Sequence, residues 1–307
     1  MKIGMIGLGM MGRGIAGNLL KTGHDIVVHD LSQAAAQPFL DAGATWADTP
    51  RELAQGCDLL FTSLPKPSDV MGVFDGPDGF EAGLTDGKAW FDFSTNSVDV
   101  IRAIHARAAQ KGAQVLDAPI SGGPAGAASG KLAIWIGGDE AAFAQHQPVL
   151  DALADQVRYI GPIGAGTITK LAHNMASTAM KAVMGEVLTM GVKAGLDPLP
   201  LWQAMRSGAA GRMRGFDNIQ RFMTGNVDTP SFALQLNQKD VNLALELGRQ
   251  FDVPMRVCSM VGQDMHEAMA RGWGGRDSQA VLVLQQERAG LKPFGITEEQ
   301  VKAVLCE

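Results

Sequence analysis

Cysteine is scarce, and no two of its three positions are close together. Cys57, Cys258 and Cys306 are spread over 307 residues without a CxxC spacing. That argues against a disulfide framework and a cysteine-based zinc site, and it suits a reducing compartment. Basic charge is in deficit as well: 26 Lys and Arg stand against 32 Asp and Glu, a net charge of −6. With no basic stripe to offset this, nucleic acid is not an expected partner. The longest apolar stretch, 171–192, is broken by His173, Asn174, Lys181 and Glu186. These residues argue against a membrane span. The six histidines form neither an HExxH motif nor a cluster with carboxylates, so no metal is expected. After Met1-Lys2 the chain enters strand-like "IGMIG" directly, which does not read as a signal peptide. With 46% hydrophobic and 19% charged residues, the expectation is a globular cytoplasmic protein.

The first half alternates two periodicities. "KIGMIG" (2–7), "DIVVHD" (25–30), "CDLLFTSL" (57–64), "AWFDFS" (89–94), "QVLDAP" (114–119), "KLAIWIGG" (131–138) and "VRYIG" (157–161) read as strands. Helical stretches fall between them, near 10–23, 33–42, 68–74, 97–110 and 139–153. Such alternation predicts a doubly wound parallel sheet covered on both faces, a Rossmann-type α/β fold. After about residue 165 only helical periodicity is found, at 167–194, 198–206, 215–224, 231–251, 256–271 and 277–289. The expected division is an α/β domain over 1–163 and an all-helical domain over 164–307, joined by a long helix. The apolar helices after 165, in a chain with 16 methionines, suggest a homodimer or homotetramer that buries a helical face.

"GLGMMG" (Gly7, Leu8, Gly9, Met10, Met11, Gly12) is a GxGxxG turn in its proper context. It follows a first strand, opens a helix, and is followed by a second strand ending at Asp30. Gly7 permits the tight turn, Gly9 lets backbone approach a pyrophosphate, and Gly12 lets helix and strand pack closely. The free N–H groups at the helix start meet the phosphate charge. Asp30 can accept hydrogen bonds from an adenosine ribose and would repel a 2′-phosphate. Leu31, Ser32 and Gln33 supply no cation to offset it, so NAD is favoured over NADP.

A second motif, "DAPISGGPAGAASG" (117–130), reads as a loop following a strand. Backbone N–H groups at Ser121, Gly122 and Gly123 make a nest for a substrate carboxylate. The third is "GPIGAGTITKLAHN" (161–174), where Lys170 and Asn174 lie one helical turn apart on a shared face. A lysine near a helix start opposes the macrodipole, so something must compensate. If that helix opens into a cleft, Lys170 reaches a substrate oxygen, and Asn174 bonds to the substrate or holds the lysine.

Together these segments, with "FALQLNQKDVNLAL" (232–245), resemble the β-hydroxyacid dehydrogenase family, which includes 3-hydroxyisobutyrate dehydrogenases and tartronate semialdehyde reductases. The resemblance covers essentially the whole chain. It implies that Lys170 is catalytic and that Ser121, Gly122, Gly123 and Asn174 hold the substrate. It further implies that Leu64, Pro65, Thr95 and Lys239 contact the cofactor, with Asp240 orienting Lys239 and Phe232, earlier on the same helix, walling the pocket. The implied activity is NAD-dependent hydride transfer on a small hydroxyacid or semialdehyde. Arg212 and Arg214 stand where the family varies, and either recognise a second acidic group or are solvated. An NADPH-preferring semialdehyde reductase and a non-catalytic dinucleotide-binding module are the alternatives. An imine reductase is disfavoured by Lys170, and a 6-phosphogluconate dehydrogenase by the short helical region.

Overall fold

The computed structural model describes every residue except 194, 209–214, 251–254 and 307. Arg212 and Arg214 therefore lie outside the described residues. The chain forms two compact units, Met1–Lys170 and Leu171–Glu307.

The first unit is built on nine strands. They are β1 (Lys2–Ile6), β2 (Asp25–His29), β3 (Thr45–Trp46), β4 (Leu59–Thr62), β5 (Ala89–Asp92), β6 (Gln114–Asp117), β7 (Ile120–Ser121), β8 (Leu132–Gly137) and β9 (Ala154–Gly161). Their order is β3-β2-β1-β4-β5-β6-β8-β7, with β9 paired to β8. The strands are apolar on both faces, so the pleat sends alternate residues into two separate cores. Met5, Val28, Phe61, Phe91 and Leu116 share one face with the helices Gly12–Leu19, Gln33–Asp41 and Glu140–Asp151. Val27, Leu60, Trp90 and Val115 share the other with Pro50–Gly56, Pro67–Phe74 and Val98–Ala109. This is a Rossmann-type sheet covered on both faces.

Two departures from the sequence reading have local causes. The sheet is mixed rather than wholly parallel, because β8 runs antiparallel to both β6 and β7. The chain continues from β6 into β7 in the same direction and turns back into β8 only after the helix Gly123–Ser129. Four short helices were also not foreseen: Pro50–Gly56, Phe80–Gly83, Gly123–Ser129 and Glu298–Cys306. For the first a signal was present. Thr49 caps the helix by accepting from the Glu52 N–H, and the Glu52 carboxylate accepts from the Asp48 N–H. Gly123–Ser129 contains only Gly, Pro, Ala and Ser, which carry no apolar periodicity.

The second unit is helical among the described residues, apart from an isolated bridge between Ala233 and Asp277. Its core gathers Trp202, Phe222, Leu234, Val241, Met265 and Leu284. Helix Ala165–Lys193 starts in the first unit and continues into this one. No helix of the described residues is long and apolar enough to cross a membrane.

His146 gives the first unit an acid sensitivity. It is buried edge-on against Phe91, and its Nδ1 has no hydrogen-bond partner. Burial holds its pKa below the ordinary 6.5. The unfolded chain therefore takes up a proton below that value before the folded chain does, and stability is lost as pH falls. His146→Leu should remove this contribution. Its thermal midpoint should drop less than the parent's between about pH 7 and about pH 5. Equal drops in a pair of thermal melts would contradict the account.

Candidate active site

Four central strands end in one row. Ile6, Thr62, Asp92 and Asp117 close β1, β4, β5 and β6 and stand opposite one another in register. Because these strands are parallel, Gly7–Gly12, Leu64–Pro65, Thr95 and Ser121–Gly123 all follow strand ends on the same edge of the sheet. Between β1 and β4 the strand order reverses direction, which is where open α/β sheets bind ligands.

The three glycines of the first turn are required for different reasons. Gly7 has φ +92, and Gly12 approaches so closely that an added Cβ would lie 1.7 Å from the Gly7 carbonyl oxygen. Both are thus fixed by this chain's own packing. An added Cβ at Gly9 would meet nothing within 4 Å. The helix that follows, Gly12–Leu19, has Met11 at its N-cap and no side chain capping it. Within its first turn the Arg13 N–H donates to the Gly9 carbonyl, and the Gly14 and Ile15 N–H groups donate to the Met11 carbonyl. Open space over Gly9 and an uncapped helix start fit the pyrophosphate of a dinucleotide. Leu8 is buried and Met10 is exposed. Asp30 follows β2, where Oδ2 accepts from the Leu8 N–H at 2.7 Å and Oδ1 from the Ser32 N–H at 2.9 Å. It therefore ties the glycine turn to the neighbouring strand, and its remaining lone pairs can still take ribose hydroxyls.

The segments after β4 and β5 are held by Asp92, a buried carboxylate that the sequence reading passed over. Its Oδ1 accepts from Thr62 Oγ1 at 2.8 Å and from the Ser94 N–H at 3.0 Å, and its Oδ2 accepts from Asn96 Nδ2 at 2.8 Å. Ser94 Oγ in turn accepts from the Leu64 N–H at 2.9 Å. Burial pushes the Asp92 carboxyl up, and bonds from Ser94, Asn96 and Thr62 pull it back down. The result fixes Leu64 and both neighbours of Thr95, while Pro65 is exposed.

The expected loop at 117–130 is more ordered than its composition suggested. Ile120–Ser121 pairs with β8, and a helix runs over Gly123–Ser129. Gly122 (φ +132) and Gly123 (φ +63) make the turn between them. That short helix packs on Gly12–Leu19. An added Cβ at Gly14 would sit 2.7 Å from Ala127 backbone, and Asn18 Nδ2 donates to the Ala127 carbonyl at 2.7 Å. The glycine turn and the Ser121–Gly123 turn are thus braced against each other. Gly14 and Asn18 were not foreseen, because only contact across 109 residues reveals them.

Lys170 is the sixth residue of helix Ala165–Lys193 and is buried, with 9% of its surface exposed. Asn174 follows one turn later, in the second unit. Its Nδ2 donates to Asp240 Oδ2 at 2.8 Å, and Asp240 Oδ1 lies 2.8 Å from Lys239 Nζ. Asp240, itself buried, therefore joins Asn174 to Lys239. Phe232 does not lie on the helix as expected, since that helix begins at Leu234. Phe232 sits in the preceding turn, where the Asp277 carboxylate accepts N–H bonds from Ser231 and Phe232. Among the described residues no group of three or more His, Cys, Asp or Glu is placed to hold a metal ion.

Such an edge on such a sheet defines a dinucleotide-binding protein of the Rossmann class. Residues 2–161 match the NAD binding domain of 6-phosphogluconate dehydrogenase, and residues 164–284 match the family described as NAD-binding of NADP-dependent 3-hydroxyisobutyrate dehydrogenase. The 2-(hydroxymethyl)glutarate dehydrogenase of Eubacterium barkeri is 34% identical, covering 96% of this chain and 98% of that one. The crystal structure of 3-hydroxyisobutyrate dehydrogenase from Salmonella typhimurium is 30% identical with a TM-score of 0.81, covering 92% of this chain and 99% of that one. Psf3, solved in complex with NADP+ and 2-OPP, is 25% identical with a TM-score of 0.82, covering 92% of this chain and 99% of that one. The chain belongs to the 3-hydroxyisobutyrate dehydrogenase, or β-hydroxyacid dehydrogenase, family. It is an NAD(P)-dependent 3-hydroxyacid dehydrogenase acting on a CH–OH group.

Proposed function

We propose that this enzyme moves a hydride between NAD and a small 3-hydroxy carboxylic acid or its semialdehyde, with Lys170 as general acid and base. The observation that carries this reading is a buried amine in the same unit as the glycine turn and the Ser121–Gly123 turn. Bound NAD supplies the hydride acceptor. Everything else falls to side chains and backbone. Lys170 Nζ bonds to the reacting oxygen, takes its proton during oxidation and returns one during reduction. Backbone N–H groups at Ser121–Gly123 bind the substrate carboxylate, and Pro124 contributes none. Asn174 donates one Nδ2 N–H to Asp240 and has a second to give to a substrate oxygen. The cofactor contacts are Gly7, Leu8, Gly9, Met10, Met11, Gly12, Asp30, Leu64, Pro65, Thr95 and Lys239. Residues 1–163 serve the cofactor, and 164–307 serve the substrate and a homodimer or homotetramer. The relatives' names suggest the substrate panel: 3-hydroxyisobutyrate, L-serine, L-threonate and 2-(hydroxymethyl)glutarate. NADH formation with each compound tests the reading, and no turnover across the panel would count against it.

NAD preference rests on Asp30. A carboxylate that already accepts two backbone N–H bonds is held in place beside the ribose site and cannot swing away from a 2′-phosphate. Asp30→Ala should lower the ratio of kcat/KM for NAD over NADP by about tenfold. The ratio matters because losing the Leu8 tie affects both cofactors alike. An unchanged ratio removes Asp30 from the argument. A second reading, an NADPH-preferring semialdehyde reductase, is favoured by the NADP+ found in Psf3. The same kcat/KM comparison on the parent enzyme decides between them.

A further inference from the structure

Helix Ala165–Lys193 lacks a cap of its own. The residue before it is Gly164, whose carbonyl accepts the Ile168 N–H, so a residue with no side chain occupies the N-cap position. Helix starts leave four N–H groups unpaired, and the usual remedy is a Ser, Thr, Asp or Asn at that position. Here the remedy comes from 47 and 50 residues away. Asp117 Oδ1 accepts the Gly164 N–H at 2.7 Å, and Oδ2 accepts the Thr167 N–H at 2.5 Å. Asp117 is 1% exposed and ends β6.

Close packing leaves this first turn no other seat. An added Cβ at Gly166 would lie 2.2 Å from the Trp135 carbonyl and 2.8 Å from the Asp117 carbonyl. One at Gly137 would lie 2.4 Å from Asp117 Oδ1. The helix start is thus pressed against the ends of β6 and β8 and latched by one carboxylate. Lys170 comes three residues after Thr167. Ser121 comes four residues after Asp117, on the chain leaving the same strand. Burial pushes the Asp117 carboxyl up, and the N–H bonds from Gly164 and Thr167 offset part of that rise.

We propose that Asp117 is a positioning residue that fixes the distance between Lys170 and the Ser121–Gly123 turn. The inference rests on Lys170 as the acid and base. Asparagine at 117 keeps the shape but offers one acceptor oxygen and turns an NH₂ towards a second N–H. The first turn must then shift, and a shift of about 1 Å near a reacting group can cost up to about 10²-fold in rate. Since this latch does not touch the glycine turn, cofactor affinity should be spared.

Steady-state kinetics on the best substrate of the panel test this with Asp117→Asn, Lys170→Ala and the double variant. The expected result is a kcat lower by about tenfold for Asp117→Asn, with KM for NAD within about twofold of the parent. The double variant should be no slower than Lys170→Ala, because a latch has nothing to position once the amine is gone. If Asp117→Asn costs the same factor in the Lys170→Ala background, the effect is general damage and the proposal falls. It also falls if kcat for Asp117→Asn stays at the parent's value. Full activity in Lys170→Ala instead overturns the role of the lysine itself. Should Asp117→Asn not fold, Thr167→Pro deletes one donor and keeps the carboxylate, and is read by the same outcomes.

Discussion

Lys170→Ala is expected to lower turnover by at least about 10²-fold, while NAD still binds. A loss of that size corresponds to about 2.7 kcal/mol of transition-state stabilisation. Lys170 is buried in the first turns of its helix, and the glycine turn is tied to β2 by Asp30 through the Leu8 N–H. Chemistry and cofactor binding should therefore separate cleanly. Lys170→Arg sharpens the test. It restores the positive charge, but a guanidinium does not give up its proton at working pH. If Lys170 only supplied charge, arginine would recover most of the activity. If it exchanges a proton, arginine should be nearly as slow as alanine. The measurements are kcat for both variants and an NAD titration of each. Parental turnover in Lys170→Ala would refute the assignment.

Gly12→Ala should weaken NAD by about 10²-fold or more and also cost about 1–3 kcal/mol of stability. An added methyl would sit 1.7 Å from the Gly7 carbonyl oxygen, which is backbone and cannot rotate away. The turn or the helix has to move, and the backbone N–H groups proposed to meet the phosphates move with it. Gly9→Ala provides the control, because its Cβ would meet no protein atom within 4 Å. That variant should keep the parent's thermal midpoint and still bind NAD more weakly, since the methyl occupies the space the pyrophosphate needs. Thermal melts and NAD titrations of both variants distinguish the two cases. If Gly9→Ala binds NAD as the parent does, the dinucleotide does not lie over this turn.

Much of the fold was legible because strand and helix periods differ. Runs such as "DIVVHD" and "AWFDFS" have no competing helical pattern, and they became β2 and β5. The glycine turn was legible for a related reason: only glycine survives φ +92 at Gly7 and a backbone contact at Gly12. Legibility failed where a segment's structure is set by a distant partner. The helix Gly123–Ser129 carries no apolar stripe, and its brace comes from Asn18. Phe232 was placed on a helix because its neighbours look helical, but the Asp277 carboxylate holds it in a turn. Asp92 and Asp117 end their strands with nothing nearby in sequence to mark them as buried hubs.

By itself, then, the sequence determined the alternating sheet and helix layers, the dinucleotide turn and the position of Lys170 along its helix. Those features depend on local periodicity, steric room at single residues and one-turn spacing. Tertiary structure alone decided which carboxylate caps that helix, how the two turns are braced, and that Asn174 donates to Asp240. A hydrogen bond between residues 47 or 66 positions apart leaves no periodic trace in the chain, because it exists only after the backbone has brought donor and acceptor within about 3 Å.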